Sequence, residues 1–449
     1  MFSKVLIANR GEIAVRIIRA CREMGLATVA VCSEADRSAL HAQIADECVC
    51  IGPAPSKDSY LNMSAVLAAC EQTGADAVHP GFGFLSENAY FARLCGTCGV
   101  KFIGPRPESI ELLGNKAHAK KTMREAGVPV VPGSDGAVAT LEEARRIAAE
   151  IGFPVMVKAS AGGGGRGIRI AHSPEEFESA FATARQEALA CFGDGDLYLE
   201  RFLANPRHIE IQVLADEHGN AVHLGERDCS VQRRNQKVIE ECPSPAPVMD
   251  EALRARMGEA AKRAVKAANY CNAGTIEFLV DGAGDFYFME MNTRVQVEHP
   301  ITELVTGVDI VKSQLAIAQG APLSLRQEEL GMHGHAIECR INAENPARGF
   351  RPSPGTIKSL YMPGGPGVRI DSAVYAGYTI PPWYDSMIAK LIVHAPTRRE
   401  AIMKMRWALA EFLVEGVDTN IDFQLSLLHN PDFEAGSYDI GFLDRLMNG

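Results

Sequence analysis

This sequence has no stretch of about 18 consecutive apolar residues, which is roughly the length that a membrane-spanning helix needs. The first residues, MFSKVLIANRGEIAVR, lack the long apolar region and the cleavage site of a signal peptide. Low-complexity segments and repeats of short period are also missing. These absences predict a cytoplasmic globular protein of enzyme size that has no membrane partner.

Basic residues are in deficit: 45 Lys and Arg stand against 56 Asp and Glu, and the formal net charge is −11. This balance argues against a nucleic-acid partner, although an acidic protein can hold a local basic pocket for phosphates. The 449 residues, 47% of them hydrophobic, predict roughly two to four domains. The only tight cysteine pairs are Cys48/Cys50 and Cys95/Cys98, and no second CxxC or His pair completes a zinc or redox site with CGTC, so the cysteines are predicted to be reduced thiols.

The common nucleotide-binding glycine motifs are absent as well. The first turn reads ANRGEIA and not GxGxxG, and no glycine run leads through GK[ST] into a helix. What the first hundred residues do contain is an alternation of strand and helix patterns, which predicts a parallel sheet. A helical pattern, NKAHAKKTMREAG, then runs into a Pro/Gly boundary at 127–133, and a β-rich segment begins near residue 331. The fold class predicted is α/β and multidomain.

One glycine run has a different context. In FPVMVKASAGGGGRGIRIAHS, Gly162–Gly165 and Gly167 separate two apolar strand patterns. Because a strand enters and a strand leaves, the run is predicted to cap a hairpin whose N–H groups can form an anion-binding nest. Lys158 and Arg166 beside it favour phosphate contact over the alternative, a flexible hairpin tip.

A row of polar residues occupies every second position of FMEMNTRVQVEHP, residues 288–300: Glu290, Asn292, Arg294, Gln296 and Glu298. A period of two is typical of a strand with one face in the core. An ordinary outer face carries a loose mix of solvated groups, so this ordered row predicts the floor of an active site. Arg294 and Gln296 are predicted to hold a small anion, and Glu298 is placed to act as a base.

The preceding strand, GTIEFLV, is predicted to form a hairpin with this row through the four-residue turn DGAG. In that register Val280 faces Asp285, so that Glu277 projects beside Glu290. Glu277, Glu290 and Asn292 would then offer the all-oxygen set that suits Mg²⁺ together with nucleotide phosphates. The alternative is a pair of solvated acids.

A second strand, GHAIECRINAE, repeats the alternation with Glu338, Arg340 and Asn342. The alternative to a role in chemistry is that Arg340 pairs with the carboxylate of Glu338. The segment GERDCSVQRRNQKVIEE adds Arg233, Arg234 and Lys237. Such local positive charge in an acidic protein is expected around phosphate and bicarbonate-sized anions.

Seven segments together resemble one family. KVLIANRGEIAVRIIRA, HPGFGFLSEN, KASAGGGGRG, RHIEIQV, ERDCSVQRRNQK, EMNTRVQVEHPITE and YDSMIAKL are similar to biotin carboxylase, of the ATP-grasp superfamily, over essentially the whole chain and in the family's order. The resemblance implies five parts: a Rossmann-like N-terminal domain at 1–113, a linker helix at 114–130, an ATP-grasp lid with the glycine-rich loop at 131–203, an ATP-grasp core with the Mg²⁺ and bicarbonate sites at 204–330, and a C-terminal β-rich α+β domain at 331–449.

The resemblance also implies roles, residue by residue. ATP contacts fall on Lys116, Lys158, Gly164, Gly165, Glu200, Arg201, Phe202, Leu203, His208, Gln232, Asn235, Glu277 and Glu290. Ligands of Mg²⁺ or Mn²⁺ fall on Glu277, Glu290 and Asn292. The bicarbonate pocket falls on Lys237, Arg294, Gln296, Val297 and Glu298, and the biotin site on Arg340 and Phe82. The catalytic residues among these are Arg294, Glu298, Lys237 and Arg340.

The implied chemistry has two stages. Glu298 deprotonates bicarbonate, which attacks the γ-phosphate of ATP to give carboxyphosphate and ADP. Carboxyphosphate releases CO₂ and phosphate, the phosphate takes the ureido proton of biotin, and Arg340 stabilises the resulting oxyanion. The expected partners are a biotin carboxyl carrier protein, carboxyltransferase subunits and a second copy of the chain, with Arg19 and Glu23 at the dimer interface or, alternatively, as a solvated i,i+4 pair.

Two positions depart from the family pattern: Asn235 stands where many members have His, and Phe82 where some have Tyr. The tripeptide Met403-Lys404-Met405 matches the biotinylated lysine of carrier domains, but its apolar neighbours have helical spacing. We therefore expect a helix there, and a separate carrier, since no carrier domain follows before Gly449. Acetyl-CoA carboxylase is the expected assembly. Another acyl-CoA, pyruvate or urea-type carboxylase, a different ATP-grasp ligase, and an inactive regulatory subunit remain alternatives.

Overall fold

The structure is a computed structural model that describes residues 1–138, 140–159, 168–192 and 195–448. The chain divides into two compact units. The larger unit comprises Met1–Val128, Arg207–Phe278 and Glu290–Gly449, and the smaller comprises Pro129–Pro206 and Leu279–Met289. The predicted domain boundaries stay predictions.

The first hundred residues of the larger unit form a five-stranded parallel sheet. Its strands lie in the order Glu47–Cys50, Ala27–Cys32, Lys4–Ile7, Ala77–His79, Lys101–Phe102. The apolar runs of the inner strands are buried, and apolar cores flank them, as is usual for a parallel sheet covered by helices. The predicted parallel sheet is therefore confirmed.

An eight-stranded sheet forms the centre of the fold and carries most of the residues that matter below. Its strand order is Phe286–Asn292, Asn272–Val280, Arg207–Ala215, Ala221–Arg233, Gln236–Cys242, His335–Asn342, Met387–Ala395, Val368–Ser372. The registers from Arg207–Ala215 through Val368–Ser372 are antiparallel. The helix Arg398–Glu411 packs on the C-terminal strands, burying Ile402, Met405 and Leu409.

The remaining helices and strands connect and cover these sheets. The helices of the larger unit are Gly11–Glu23, Leu40–Ile44, Met63–Thr73, Ala89–Thr97, Pro107–Gly114, Lys116–Glu125, Glu251–Ala267, His299–Thr306, Ile310–Ala318, Arg398–Glu411, Ile421–Leu428, Pro431–Glu434 and Phe442–Asn448. Short strand pairs are Glu344–Asn345 with Arg351–Pro352, Gly355–Thr356 with Thr379–Ile380, and Ser359–Tyr361 with Leu413–Glu415. No helix within the described part of the chain has the length and hydropathy of a bilayer-spanning segment.

The smaller unit is a three-stranded sheet covered by two helices. The strand Val155–Ala159 pairs antiparallel with Ile168–Ala171 on one side and with Leu197–Arg201 on the other. The helices Leu141–Ile151 and Pro174–Phe192 complete the unit. The prediction that strands enter and leave the glycine run is confirmed, whereas the run itself lies outside the described residues.

The hairpin turn after Val280 differs from its prediction. The amide of Asp281 donates to the carbonyl oxygen of Asp285 over 2.9 Å, and the amide of Gly284 donates to the carbonyl oxygen of Asp281 over 3.1 Å. Gly284 has a φ of +82°, which is typical of a three-residue hairpin loop that ends in a glycine bulge. The predicted pairing of Val280 with Asp285 is therefore wrong by one residue.

Two further predictions concern local structure. Met403, Lys404 and Met405 lie within the helix Arg398–Glu411, and Lys404 Nζ donates to the carbonyl oxygens of Pro366 and His394. The predicted helix is confirmed. Eleven cysteines are free thiols: Cys21, Cys32, Cys48, Cys50, Cys70, Cys95, Cys98, Cys229, Cys242, Cys271 and Cys339.

One buried carboxylate joins three parts of the larger unit. Glu241 accepts hydrogen bonds from Arg398, from Tyr438 and, over 2.7 Å, from His335 Nε2. Burial acts to raise the pKa of Glu241, but the His335 hydrogen bond and the Arg398 guanidinium outweigh it and lower the pKa to about 2. The carboxylate is thus ionised and fully paired.

We expect Glu241→Gln to lower the free energy of unfolding by about 3–5 kcal/mol at pH 7, because the change removes a buried anion and leaves the partly buried Arg398 guanidinium without its counterion. The contribution of Glu241 is present above its unfolded pKa of 4.5 and is lost as pH falls towards about 2. The difference in the free energy of unfolding between the native protein and Glu241→Gln should therefore become smaller below about pH 4.5. Urea denaturation across pH measures this, with the exposed Glu411→Gln as control. If Glu241→Gln and Glu411→Gln lowered the free energy of unfolding equally, the prediction would be contradicted.

Candidate active site

One face of the central sheet carries the polar residues of a buried site. In the strand Arg207–Ala215, His208, Glu210 and Gln212 alternate with Ile209 and Ile211, and all of these residues are buried. The period of two sends the polar members to one face. Lys237 comes from the strand Gln236–Cys242 of the same sheet.

The ammonium of Lys237 lies among three carboxylates. Lys237 Nζ is 2.6 Å from Glu210 Oε2, 3.0 Å from Glu277 Oε1 and 2.5 Å from Glu298 Oε1. Burial acts to lower the pKa of Lys237, but Cys229 and the surrounding carboxylates outweigh it and raise the pKa well above its usual value. The ammonium is therefore charged and binds the three acids together.

A second buried cation supports Glu210. Arg227 is completely buried, and its Nε lies 2.5 Å from Glu210 Oε1. Its other nitrogens donate to Gln212 Oε1, Thr302 Oγ1 and Thr275 Oγ1 over 2.7–3.1 Å. With Arg227 on one oxygen and Lys237 on the other, Glu210 has a pKa below its usual range despite burial.

Glu298 lies between two cations. One carboxylate oxygen accepts from Lys237, and the other lies 3.0 Å from Arg340 Nη2. Its side chain is fully buried. Burial and Glu210 act to raise the pKa of Glu298, whereas Lys237, Arg340 and Arg227 lower it, and the net effect is a lowered pKa. Glu298 is thus an ionised carboxylate, which is the form that can accept a proton.

Arg340 is shared between Glu298 and Glu240. Its guanidinium nitrogens Nε and Nη2 lie 2.6 Å from Glu240 Oε1. Glu240 faces Glu338 directly across the neighbouring strand. Burial and the nearby Glu298 charge raise the pKa of Glu240 to about 7, and burial raises that of Glu338 well above its usual value. Three acids therefore surround Arg340, and only Glu298 is held firmly ionised.

Arg294 is positioned by three oxygen acceptors. It donates to Glu87 Oε2 over 2.9 Å, to Gln296 Oε1 over 2.9 Å and to Asn292 Oδ1 over 3.0 Å. The strand Phe286–Asn292 ends before Arg294, so the prediction of a regular strand as far as Glu298 is wrong. Gln296 Nε2 nevertheless donates to Glu277 Oε1 over 3.0 Å, which joins the segment after the strand to the Lys237 cluster.

The peptide beside Glu298 is fixed by another buried lysine. Lys390 Nζ donates to the carbonyl oxygen of Val297 over 2.8 Å and lies 3.1 Å from Glu12 Oε2. Lys390 is completely buried, and Glu12 belongs to the first helix, Gly11–Glu23. The backbone that carries Glu298 is therefore tied to the N-terminal sheet domain.

The predicted metal ligands fit a hard divalent cation by their chemistry. Glu277 and Glu290 offer carboxylates and Asn292 an amide oxygen, which is the set that Mg²⁺ accepts. The Glu290 side chain is 39% exposed and lies 3.6 Å from Lys116 Nζ. Within the described residues, Asn292 Nδ2 is buried and has no hydrogen-bond partner. The corrected turn removes the register argument for Glu277 beside Glu290, so these ligands stay a prediction.

Two other triads have ligand atoms within 4.8 Å of one another: His208, Glu210 and Glu277, and Glu210, Cys229 and Glu298. Both share Glu210, whose oxygens bind Arg227 and Lys237. His208 Nε2 lies 3.3 Å from Glu277 Oε2. Although burial acts to lower the pKa of His208, Glu277 and Glu210 raise it to about 9. Arg227 and Lys237 thus neutralise the shared carboxylate Glu210, and Lys237 also pairs with Glu277 and Glu298.

Several predicted nucleotide contacts lie on the larger unit. Lys116 begins the helix Lys116–Glu125, and Gln232 Nε2 lies 2.9 Å from His208 Nδ1. Asn235 has a φ of +63° in the tight turn that joins paired residues Arg233 and Gln236. Asn tolerates this left-handed conformation.

Phe82 is partly buried against the N-terminal core, and its carbonyl oxygen accepts from Asn9 Nδ2 over 2.7 Å. These contacts do not test the predicted contact of Phe82 with biotin, which stays a prediction.

Other predicted nucleotide contacts lie on the smaller unit. Lys158 and Glu200, on neighbouring strands, form an ion pair. Arg201 ends its strand, and Leu203 follows Phe202, whose amide donates to the carbonyl oxygen of Pro154 over 2.9 Å. Gly164 and Gly165 lie outside the described residues.

Sequence reasoning missed several residues that hold this site, among them Glu210, Arg227, Glu87 and Lys390. Glu210 could have been found, because RHIEIQV has the same period of two as the predicted row. Arg227, Glu87 and Lys390 act across distant parts of the chain, and no local pattern reports such contacts.

Comparison with known proteins identifies the class. Residues 1–110 match the family model described as biotin carboxylase, N-terminal domain, and residues 338–445 match the biotin carboxylase C-terminal domain. Residues 115–326 match the ATP binding domain of the carbamoyl-phosphate synthase L chain. The class is thus that of an ATP-dependent ligase built on an ATP-grasp core.

Individual relatives narrow the class to a family. A biotin carboxylase of Nostoc sp. is 57% identical over 445 residues, covering 99% of each chain. A pyruvate carboxylase subunit of Methanothermobacter thermautotrophicus is 53% identical, covering 100% of this chain and 91% of that protein.

Two solved structures agree with these relatives. The biotin carboxylase domain dimer of the Hydrogenobacter thermophilus 2-oxoglutarate carboxylase, in complex with MgADP, ADP and bicarbonate, has a TM-score of 0.89 at 51% identity and covers 100% of this chain and 98% of that one. Biotin carboxylase of Campylobacter jejuni, in complex with β,γ-ATP, has a TM-score of 0.90 at 50% identity and covers 99% of each. The chain belongs to the biotin carboxylase family. The predicted family, fold class and biotin carboxylase function are confirmed.

We expect Arg227→Met to lower the free energy of unfolding by about 3–5 kcal/mol, because Glu210 would lose one of its two buried cations. Chemical denaturation followed by circular dichroism measures the change. Arg93→Met is the matched control, since Arg93 is 51% exposed and pairs with Glu111 at the surface; its effect should stay within about 0.5 kcal/mol. A loss of the same small size in Arg227→Met would show that the buried pair contributes little.

Proposed function

We propose that this chain carboxylates biotin carried on a separate carrier protein, using ATP and bicarbonate, by way of carboxyphosphate. The observation that carries the proposal is the ionised, fully buried Glu298 held between Lys237 and Arg340. A buried carboxylate kept charged by two cations is a suitable base for a small anionic substrate, which the same cations attract.

Bicarbonate binding is supported by the arrangement around Arg294. Hydrogen bonds run from Arg294 through Gln296 to Glu277, and from there through Lys237 to Glu298. An anion near Arg294 and Gln296 would meet donors on one side and the base on the other. Glu298 then removes the bicarbonate proton, and the resulting oxyanion attacks the γ-phosphate.

Phosphoryl transfer depends on positioning and on charge neutralisation. Lys116, Lys158, His208 and the glycine run are proposed to contact ATP, whose binding is supported by the match to an ATP binding domain. Glu277, Glu290 and Asn292 would hold Mg²⁺, which supplies neutralising charge to the phosphates. The MgADP and bicarbonate complex of the Hydrogenobacter thermophilus relative supports both ligands.

The second stage uses Arg340. Phosphate released from carboxyphosphate takes the ureido proton of biotin, and the Arg340 guanidinium stabilises the ureido oxyanion that forms. Glu240 accepts hydrogen bonds from Arg340 and helps to hold its guanidinium in place. Phe82 is proposed to border the biotin.

The complete carboxylase is proposed to be acetyl-CoA carboxylase, in which a carboxyltransferase takes the carboxyl group from the carrier. The pyruvate carboxylase relative makes a pyruvate-type assembly the second candidate. We also propose a cytoplasmic homodimer, supported by the dimer of the Hydrogenobacter thermophilus relative, with Arg19 and Glu23 of the first helix near its interface.

The direct test measures ADP release from Mg²⁺-ATP and bicarbonate, with and without free biotin. A bicarbonate-dependent rate that rises with biotin supports the proposal. Bicarbonate dependence without a biotin response directs the test to the carrier protein or to another acceptor. Absence of ADP release would favour the alternative that the chain is an inactive regulatory subunit.

We expect Glu298→Gln to reduce bicarbonate-dependent ADP release by about 10²–10⁴-fold, the usual contribution of a general base. ATP affinity, measured by calorimetry, should remain nearly unchanged, because Glu298 acts on bicarbonate and not on the nucleotide. Glu411→Gln serves as the exposed control. Loss of ATP affinity in Glu298→Gln would mean that its role is misassigned.

For Arg340→Ala, slow bicarbonate-dependent ADP release should persist while the acceleration by biotin falls by about 10²–10³-fold, as when an oxyanion donor is removed. The exposed Arg351→Ala is the matched control, and ADP release is measured over a biotin titration. If biotin still accelerates ADP release in Arg340→Ala, the oxyanion role is excluded.

A further inference from the structure

Three cysteines meet at one edge of the N-terminal parallel sheet. Cys32 ends the strand Ala27–Cys32, and Cys48 and Cys50 lie on the neighbouring edge strand Glu47–Cys50. In the parallel register Cys32 faces Cys50, and Ala30 faces Cys48. Residues two apart on a strand share a face, so the three thiols project on the same side of the sheet.

Two of these thiols, Cys32 and Cys48, are in direct contact. Their Sγ atoms lie 3.6 Å apart. Cys32 is only 3% exposed, whereas Cys48 and Cys50 are exposed. The pair therefore combines a thiol that a dissolved oxidant can reach with a protected thiol in contact with it, which is the usual arrangement of a reactive cysteine and its resolving partner.

We propose that Cys48 and Cys32 form a redox-reactive pair that closes to a disulfide when the protein meets a peroxide. Hydrogen peroxide converts the Cys48 thiol to a sulfenic acid with release of one water. The Cys32 thiol then attacks the sulfenic sulfur, forming the S–S bond and releasing a second water. The two thiols lose two electrons and two hydrogens, and the peroxide is reduced.

The pKa shifts of the two thiols agree with Cys48 as the reactive cysteine and Cys32 as its resolving partner. The hydrogen bond between the two thiols lowers the pKa of Cys48, and the same contact, with burial, raises the pKa of Cys32. A thiol with a lowered pKa has a larger thiolate fraction and reacts first with peroxide. Cys48 is therefore the thiol that the peroxide oxidises, and Cys32 is the thiol that resolves the sulfenic acid.

The positions of the tryptic cleavage sites make the disulfide between Cys32 and Cys48 easy to detect. Trypsin cleaves after Arg22, Arg37 and Lys57, so Cys32 lies on the peptide 23–37, and both Cys48 and Cys50 lie on 38–57. The full-length protein is treated with hydrogen peroxide, its remaining thiols are alkylated under denaturing conditions, and the unreduced digest is analysed by mass spectrometry. The expected product is the two peptides joined with loss of two hydrogen atoms, with fragment ions placing the bond on Cys32 and Cys48.

Three variants and one internal control decide the result. Cys48→Ser should abolish the linked peptide, whereas Cys50→Ser and Cys98→Ser should retain it. Cys98 is an exposed thiol on a different segment, and it should remain open to alkylation at peroxide doses that join Cys32 to Cys48. Unchanged basal ADP release in each variant verifies that the variants are folded.

Three results would contradict the proposed pair. Linkage that survives in Cys48→Ser would move the bond to Cys50 and overturn the assignment. Oxidation of Cys48 to higher acids without linkage would exclude Cys32 as the resolving thiol. Oxidation of Cys98 at the same dose as Cys48 would show that exposure alone, and not the paired geometry, determines reactivity.

Discussion

The ion pairs around the Lys237 ammonium are the interaction on which the rest of the site depends. Three carboxylates converge on one nitrogen in a region from which water is largely excluded. Without a central cation these acids would repel one another and take up protons, since burial favours the neutral form of a carboxyl group. Lys237 and Arg227 keep Glu210 and Glu298 ionised, so one lysine supports both the packing of the sheet and the charge of the proposed base.

The central antiparallel sheet explains why these charges can meet. The strands Arg207–Ala215 and His335–Asn342 alternate apolar and polar residues, and neighbouring strands bring further charged residues to the same polar face. The apolar members, such as Ile209 and Ile211, are buried on the opposite face. A charged cluster therefore forms inside the protein, while apolar residues of the same strands remain part of the core. Arg340 and Glu240 extend this cluster along the same sheet.

Local patterns in the sequence predicted the strands, the polar row and the flanks of the glycine run, because those features repeat over a few neighbouring residues. The hairpin turn after Val280 was predicted wrongly, since a glycine bulge shifts the pairing by one residue without altering the alternation. Glu87 and Arg227 were missed for a different reason. Glu87 contacts Arg294 across 207 residues of chain, and partners at such separation follow from the tertiary fold and not from spacing.

Lys390 has a consequence for how the chain can be divided. The family models separate an N-terminal segment, residues 1–110, from a C-terminal segment, residues 338–445. Yet Lys390 of the second segment binds Glu12 of the first and the carbonyl oxygen beside Glu298. Separating the two segments would remove the pair between Glu12 and Lys390, although Lys390 would keep Asp371, 3.8 Å away in its own segment. The matched segments are therefore joined by a buried ion pair in the folded protein, and we expect a chain split between them to be less stable than the intact chain.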